Sequence, residues 1–265
     1  MIGFIGGGNM AGAIIGGLIG YGTLPSDIMV SDKNNELLKS LSDKYSVFAT
    51  DDNIKVASSA DILVICVKPN VVPIVAEEVS ASINKDTVIV SIAAGKTVSQ
   101  LEEYFGKDKK IVRVMPNTPA LVGEAMSAVC SNENAGADID SVVEMFSKLG
   151  KSAKVSEKLF DTITAVSGSS PAYVFMLIEA MADGAVQGGM TRDMAYEFAA
   201  QAVLGSAKMV LETGIHPGEL KDKVCSPGGT TIEAVASLEK SGFRNSIIKA
   251  MKACREKSEK MKYEF

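Results

Sequence analysis

Apolar positions follow two rhythms along this chain, and the change of rhythm lies near residue 156. Before it, short and almost uniformly apolar runs at 2–5, 28–30, 47–49, 62–67, 87–92 and 111–115 alternate with segments of helical spacing at 36–45, 71–83 and 97–105. Runs so short and so uniform read as strands covered on both faces, and strands alternating with helices predict a parallel, doubly wound sheet. Residues 124–130, a helix over 138–149 and residues 152–155 extend it. From Lys158 onward strand signals stop. Ser170-Pro171 has the character of a helix start and opens a segment apolar on most faces, which suits a core or a subunit interface. Thr191 caps a long helix that stops at Thr213-Gly214, Pro217 opens a short one, and helices over 232–240 and 244–260 close the chain. The expected fold class is α/β: a Rossmann-type doubly wound parallel sheet over residues 1–156, followed by an all-α domain over 157–265.

The first strand runs into Gly6-Gly7-Gly8-Asn9-Met10-Ala11, with the spacing Gly6-x-Gly8-x-x-Ala11 of a dinucleotide loop. Gly6 allows the turn, Gly8 lets backbone approach a pyrophosphate, and Ala11 lets the helix lie close to the strand. The first N–H groups of that helix have no acceptor within it and, with the helix dipole, suit phosphates. Gly12, Gly16 and Gly20 share one face and predict close packing. Residues 1–26 carry no charged side chain, as a leader or membrane span would. Three consecutive glycines, each costing a helix about 1 kcal/mol, and no basic residue before the apolar run favour the cofactor loop.

Ligands of a doubly wound sheet bind at the carboxyl ends of its strands. The loops expected on that rim are 6–10, Asp32, Val67-Lys68-Pro69, Ala93-Ala94-Gly95 and 115–119. Asp32 stands about where an acidic residue takes the ribose hydroxyls of NAD; Ser31, Lys33 and Asn34 could equally hold the 2′-phosphate of NADP. In the helical part, Ser226-Pro227-Gly228-Gly229-Thr230-Thr231-Ile232-Glu233 places two glycines before a helix start, and Thr230 and Glu233 have capping-box spacing. Several backbone N–H groups can converge there on an anion.

Composition narrows the function. With 265 residues there is chain enough for two modest domains, and 22% charged with 46% apolar residues is ordinary for a globular protein. A net charge of −5 without a basic stripe argues against nucleic acid as partner. Cys66, Cys130, Cys225 and Cys254 lie far apart without ligand spacing, so neither a metal site nor a disulfide framework is expected, and the compartment reads as a reducing cytoplasm. The single histidine, His216, precedes Pro217-Gly218 and reads as a loop residue. Any mechanism therefore works without a histidine pair.

Taken together, FIGGGNMAGAII at residues 4–15, Val67-Lys68-Pro69, MPNTP at 115–119, SGSSPAYVF at 167–175 and HPGELKDKVCSPGGTTIEAV at 216–235 resemble pyrroline-5-carboxylate reductase, in matching order over essentially the whole chain. The resemblance implies reduction of 1-pyrroline-5-carboxylate to L-proline with NADPH, or NADH. It also implies a helical domain that forms a homodimer, with dimers that could assemble further, and no membrane attachment. In such proteins the substrate sits between the nicotinamide of one subunit and the Gly-Gly-Thr loop of the other. Carried onto this chain, the Gly228, Gly229 and Thr230 backbone binds the substrate carboxylate, Ser226 belongs to the same substrate site, Thr231 hydrogen-bonds the ring nitrogen and serves catalysis, and Glu157 lies near the product. Gly6, Gly8, Asn9, Met10, Ala11, Asp32, Asn34, Asn53, Val67, Lys68, Pro69, Ala93 and Ala94 contact the cofactor. Ser170, Lys223 and Asp32 depart from the pattern, and the carboxylate of Asp32 would repel a 2′-phosphate unless Lys33 or another cation compensates. A β-hydroxyacid dehydrogenase would need a lysine within 171–189, where none occurs. A non-catalytic cofactor-binding sensor would have no use for the second anion loop.

Overall fold

The computed structural model describes residues 1–264. Its strands are β1 (Ile2–Ile5), β2 (Ile28–Ser31), β3 (Phe48–Thr50), β4 (Ile62–Ile65), β5 (Val88–Ser91), β6 (Lys110–Met115), β7 (Ala125–Ser131) and β8 (Gly150–Lys154). They form one sheet in the order β3-β2-β1-β4-β5-β6-β7-β8. Helices α1 (Asn9–Gly20), α2 (Asn35–Tyr45), α3 (Asn53–Ser59), α4 (Val72–Val79) and α5 (Val98–Phe105) cross between the first six strands. All pairings among those six are parallel, and the order reverses between β1 and β4, which opens a crevice at their carboxyl ends.

The sheet departs from the parallel expectation at β7, which runs antiparallel to β6. A short 3₁₀ turn, Thr118–Val122, joins the two, whereas a parallel return needs a crossover of about a dozen residues. Helix α6 (Asp138–Ser147) then brings β8 back parallel to β7.

Side chains alternate across the sheet into two cores. Phe4, Ile14, Leu18, Val30, Val129 and Phe146 fill one face, and Ile5, Leu63, Ile65, Val72, Leu101 and Phe160 the other. On α1, Gly16 and Gly17 admit the Tyr45 and Leu149 side chains, where a Cβ would lie 2.6 Å and 2.0 Å from them; around Gly20 the same position is open. The close approach thus involves Gly16 of the expected face together with Gly17, while Gly12 makes only ordinary contact with Leu41 and Gly20 none.

The chain divides into two compact units. One comprises Met1–Ser169 with the carboxyl-terminal stretch from Ala253, and the other is Ser170–Lys252. Strands do stop near residue 156, yet residues 157–169, including α7 (Phe160–Ile163), stay with the first unit because Phe160 is 1% exposed within its core.

The second unit contains α8 (Ser170–Gln187), α9 (Arg192–Thr213), α10 (Pro217–Val224), α11 (Thr230–Lys240) and the first part of α12 (Phe243–Glu264). The buried side chains of α8 and α9 are alanines, Ala182, Ala195 and Ala199, while Phe175 is 63% and Met176 69% exposed. Helices that expose their large apolar side chains lack a core of their own and need a covering partner. Among the described residues no helix is long and apolar enough to cross a membrane.

Candidate active site

The glycine turn after β1 is shaped by two constraints. Gly6 has φ +98°, and a Cβ there would lie 2.8 Å from the Cys66 carbonyl oxygen, so only glycine fits. Gly8 has φ −66° and precedes the first residue of α1, yet a Cβ built on it meets nothing within 4 Å. No protein atom accounts for a glycine here. What its missing side chain leaves open is the approach to the first N–H groups of α1. Ala11 is 1% exposed, against the sheet.

At the end of β2, Asp32 Oδ2 accepts a hydrogen bond from the Gly7 N–H at 2.8 Å, and Oδ1 accepts one from the Asn34 N–H at 2.9 Å. Asn34 in turn caps α2, its Oδ1 accepting from the Glu36 and Leu37 N–H groups. Buried Asn53, the first residue of α3, accepts from Ser31 Oγ at 2.7 Å and donates to Glu78 Oε2 at 2.8 Å. These side chains fix the turn before they could touch a ligand.

A cavity of about 330 Å³ lies between Gly6, Gly8, Asp32, Lys33, Asn53 and Lys68. Cys66, Val67 and Lys68 also line a second cavity of about 340 Å³, bounded by Met10, Pro69, Ala93, Ala94, Asn117 and Gly168. The two cavities share a wall along the carboxyl ends of β1, β4 and β5. Burial pushes the Cys66 thiol far up, so it serves as an apolar wall and not as a nucleophile.

Asn117 lies in the rim loop 115–119 expected from sequence, whereas Gly168 was not expected on the rim. Asn117 Nδ2 donates to the Ser167 carbonyl at 3.0 Å, and its Oδ1 accepts from the Met126 N–H at 3.0 Å. Gly168 ends a π-helical turn, Thr164–Gly168, and a Cβ on it would meet Met115 Cε at 2.6 Å. Apolar spacing carries no signal for such a turn.

Glu157 does not line this cleft. Its Oε1 accepts from Arg113 at 2.8 Å and from the Val98 N–H at 2.8 Å. Arg113 is 3% exposed and stacks over the Phe160 ring, 4.3 Å from its centre. The carboxylate thus neutralises a buried guanidinium and caps the start of α5. Thr97 and Gln100 form a capping box there.

In the helical unit, Gly228 adopts φ +66° and the Gly229 N–H donates to the Ser226 carbonyl at 3.0 Å. Gly229, not Thr230, is the N-cap of α11, and Thr230 is its first residue with no side-chain cap bond. The Thr230–Glu233 capping box is therefore absent, because the tight turn already places Thr230 inside the helix. The N–H groups of Thr230, Thr231 and Ile232 remain without an intrahelical acceptor. His216 caps α10, its Nδ1 accepting from the Gly218 N–H at 3.0 Å.

The dimerisation model of pyrroline-5-carboxylate reductase matches residues 157–261, and the model described as NADP oxidoreductase coenzyme F420-dependent matches residues 1–95. The pyrroline-5-carboxylate reductase of Escherichia coli is 53% identical over 98% of this chain and 97% of that protein. The chain belongs to the pyrroline-5-carboxylate reductase family. Two solved members superpose closely. That of Coxiella burnetii has a TM-score of 0.90 at 38% identity, covering 98% of this chain and 97% of the other. That of Plasmodium falciparum, with NADP bound, has 0.89 at 33% identity and the same coverage. The activity is the family's: reduction of the C=N bond of 1-pyrroline-5-carboxylate to L-proline with a nicotinamide cofactor, by a homodimer.

Proposed function

We propose that the cofactor occupies the double cavity with its adenosine half between Asp32, Asn53 and Lys68 and its nicotinamide half against Pro69, Ala93 and Ala94. The observation that carries this is Gly8, whose open Cβ position faces the first turn of α1. Met10, Val67 and Lys68 line the cavity; Asn9 contributes backbone N–H, Ala11 close packing, and Asn34 the cap of α2. The substrate carboxylate is held by the N–H groups that begin α11, in the turn Ser226-Pro227-Gly228-Gly229-Thr230, supplied across the dimer as the family resemblance implies.

The coenzyme, when bound, supplies the hydride. The chain then has to position the imine carbon and satisfy the nitrogen. Backbone N–H groups at the start of α11 bind the carboxylate and fix one end of the ring. Thr231, half-buried beside them, hydrogen-bonds the ring nitrogen, and its hydroxyl donates to that nitrogen as it becomes an amine or relays a proton from water. A protonated imine is already electrophilic, so no histidine is needed.

We read the coenzyme as NADPH, with NADH accepted. Lys33 on the cavity wall supports this, being placed to offset Asp32 near a 2′-phosphate. Four free thiols support a reducing, cytoplasmic setting.

The test is oxidation of NADPH and then NADH by the purified protein, with and without 1-pyrroline-5-carboxylate, repeated for Thr231→Ala. Substrate-dependent oxidation that falls by about 10²-fold or more in the variant supports the role of Thr231. Unchanged turnover in the variant removes Thr231 from the chemistry.

A further inference from the structure

The last helix ends against the loop that walls the second cavity. Helix α12 begins in the dimerisation unit, but from Ala253 onward it belongs to the sheet unit. There its final turns are attached to that unit at several points. Asp161, 6% exposed, accepts from Ser258 Oγ at 2.9 Å and is ion-paired with Lys262. Met261 lies against Gly95, where a Cβ would stand 3.0 Å from Met261 Cβ and 3.4 Å from its backbone; Gly95 has φ +76°. The Lys262 carbonyl accepts from Gln100 Nε2 at 2.9 Å.

Two of these attachments grip the segment that forms a wall of the cleft. Ala93 and Ala94 line its second half, and Gly95 follows directly. Gln100 closes the other side of the same loop, since its Oε1 accepts from the Thr97 N–H at 3.0 Å while its Nε2 reaches Lys262. Lys96, between them, is 1% exposed and donates to Tyr104 Oη at 3.1 Å. The loop is thus pinned from outside by the end of the chain and from inside by the capping box.

We propose that Asp161, Ser258, Lys262 and Gln100 are positioning residues for hydride transfer: by fastening the end of α12 they hold the 93–95 wall at the depth the nicotinamide half of the cofactor requires. This rests on assigning the second cavity to that half. None of the four touches the cleft, and the capping box alone already secures α5. What the latch adds is the placement of Gly95 under Met261.

Gln100→Glu separates this role from mere stability. Glutamate keeps the carbonyl-type oxygen that caps α5 and lacks the amide donor that reaches Lys262. Lys262→Met removes the ion pair and leaves the capping box untouched. The readouts are KM for the coenzyme, kcat, the coenzyme dissociation constant from NADPH fluorescence, and the melting temperature. Each variant is expected to raise KM and the dissociation constant about five- to tenfold, the size of one lost hydrogen bond or partly buried ion pair, with KM for the imine unchanged. Wild-type coenzyme constants in both variants, whether or not the melting temperature falls, overturn the proposal. Gly8→Val, measured alongside, tests the cleft itself: if it still binds NADPH as tightly as wild type, the cleft assignment fails independently of the latch.

Discussion

The carboxylate of Asp32 accepts the Gly7 N–H at 2.8 Å, so the residue that follows β2 shapes the turn that follows β1. A negative charge is thereby fixed at the mouth of the first cavity, beside exposed Lys33. Asp32→Ser removes a like charge from the neighbourhood of a 2′-phosphate and is expected to raise the NADPH-to-NADH ratio of kcat/KM about tenfold. Absolute affinity for both coenzymes should fall somewhat, because the turn loses a tie. A ratio unchanged within twofold would show that the carboxylate does not face the 2′-position.

Gly6 and Gly8 predict opposite phenotypes. Gly6→Ala forces a side chain into φ +98° against a backbone carbonyl, and should destabilise the fold by about 1–3 kcal/mol. Gly8→Ala meets no protein atom at an ordinary φ, so its melting temperature should match the parent, within about 0.5 kcal/mol of stability. Coenzyme affinity of Gly8→Ala should nonetheless drop tenfold or more, because the added methyl stands where the pyrophosphate approaches. Thermal unfolding with and without NADPH separates the two. A Gly8→Ala protein stabilised by coenzyme as much as wild type would move the phosphates elsewhere.

How far such positions can be read from sequence depends on the range of the interaction that fixes them. Strands β1, β2, β4 and β5 were legible because burial makes each a mostly apolar run, whereas the edge strand β3 is largely exposed and was carried by its short apolar residues alone; the rim loops that follow strands were legible for that reason. The reversal at β7 depends on the shortness of the 118–122 turn, which periodicity does not register. Gly229 displaced Thr230 as N-cap because a φ +66° turn at Gly228 decides where the helix begins. The return of the chain from Ala253 to the sheet unit rests on Asp161 meeting Ser258 and Lys262 across about a hundred residues, and nothing local announces it.

Glu157 allows a decisive comparison between a structural and a substrate-binding role. Its partner Arg113 has a side chain only 4% exposed, so Glu157→Ala leaves a buried guanidinium without its anion and should cost about 3 kcal/mol. Glu157→Gln keeps an acceptor for the Val98 N–H and should cost less. KM for the imine is expected to stay within twofold in the Gln variant. A rise in that KM at unchanged melting temperature would instead return Glu157 to the substrate, as the family resemblance implies.

The exposed apolar side chains of α8 are expected to couple folding of residues 170–252 to dimerisation. Phe175 and Met176 are adjacent in sequence and so point in different directions around the helix, yet both are more than half exposed in the single chain. A helix uncovered over so wide an arc cannot be satisfied by the small buried alanines of its own unit. The melting temperature should therefore rise with protein concentration, as it does when association and folding are coupled. Phe175→Glu places a carboxylate in that surface and should shift sedimentation from dimer towards monomer at micromolar concentration. Turnover should fall in parallel, since the proposed substrate turn comes from the partner. A Phe175→Glu protein that sediments as an unaltered dimer would place α8 outside the subunit contact, and the covering of its apolar face would then have to come from elsewhere.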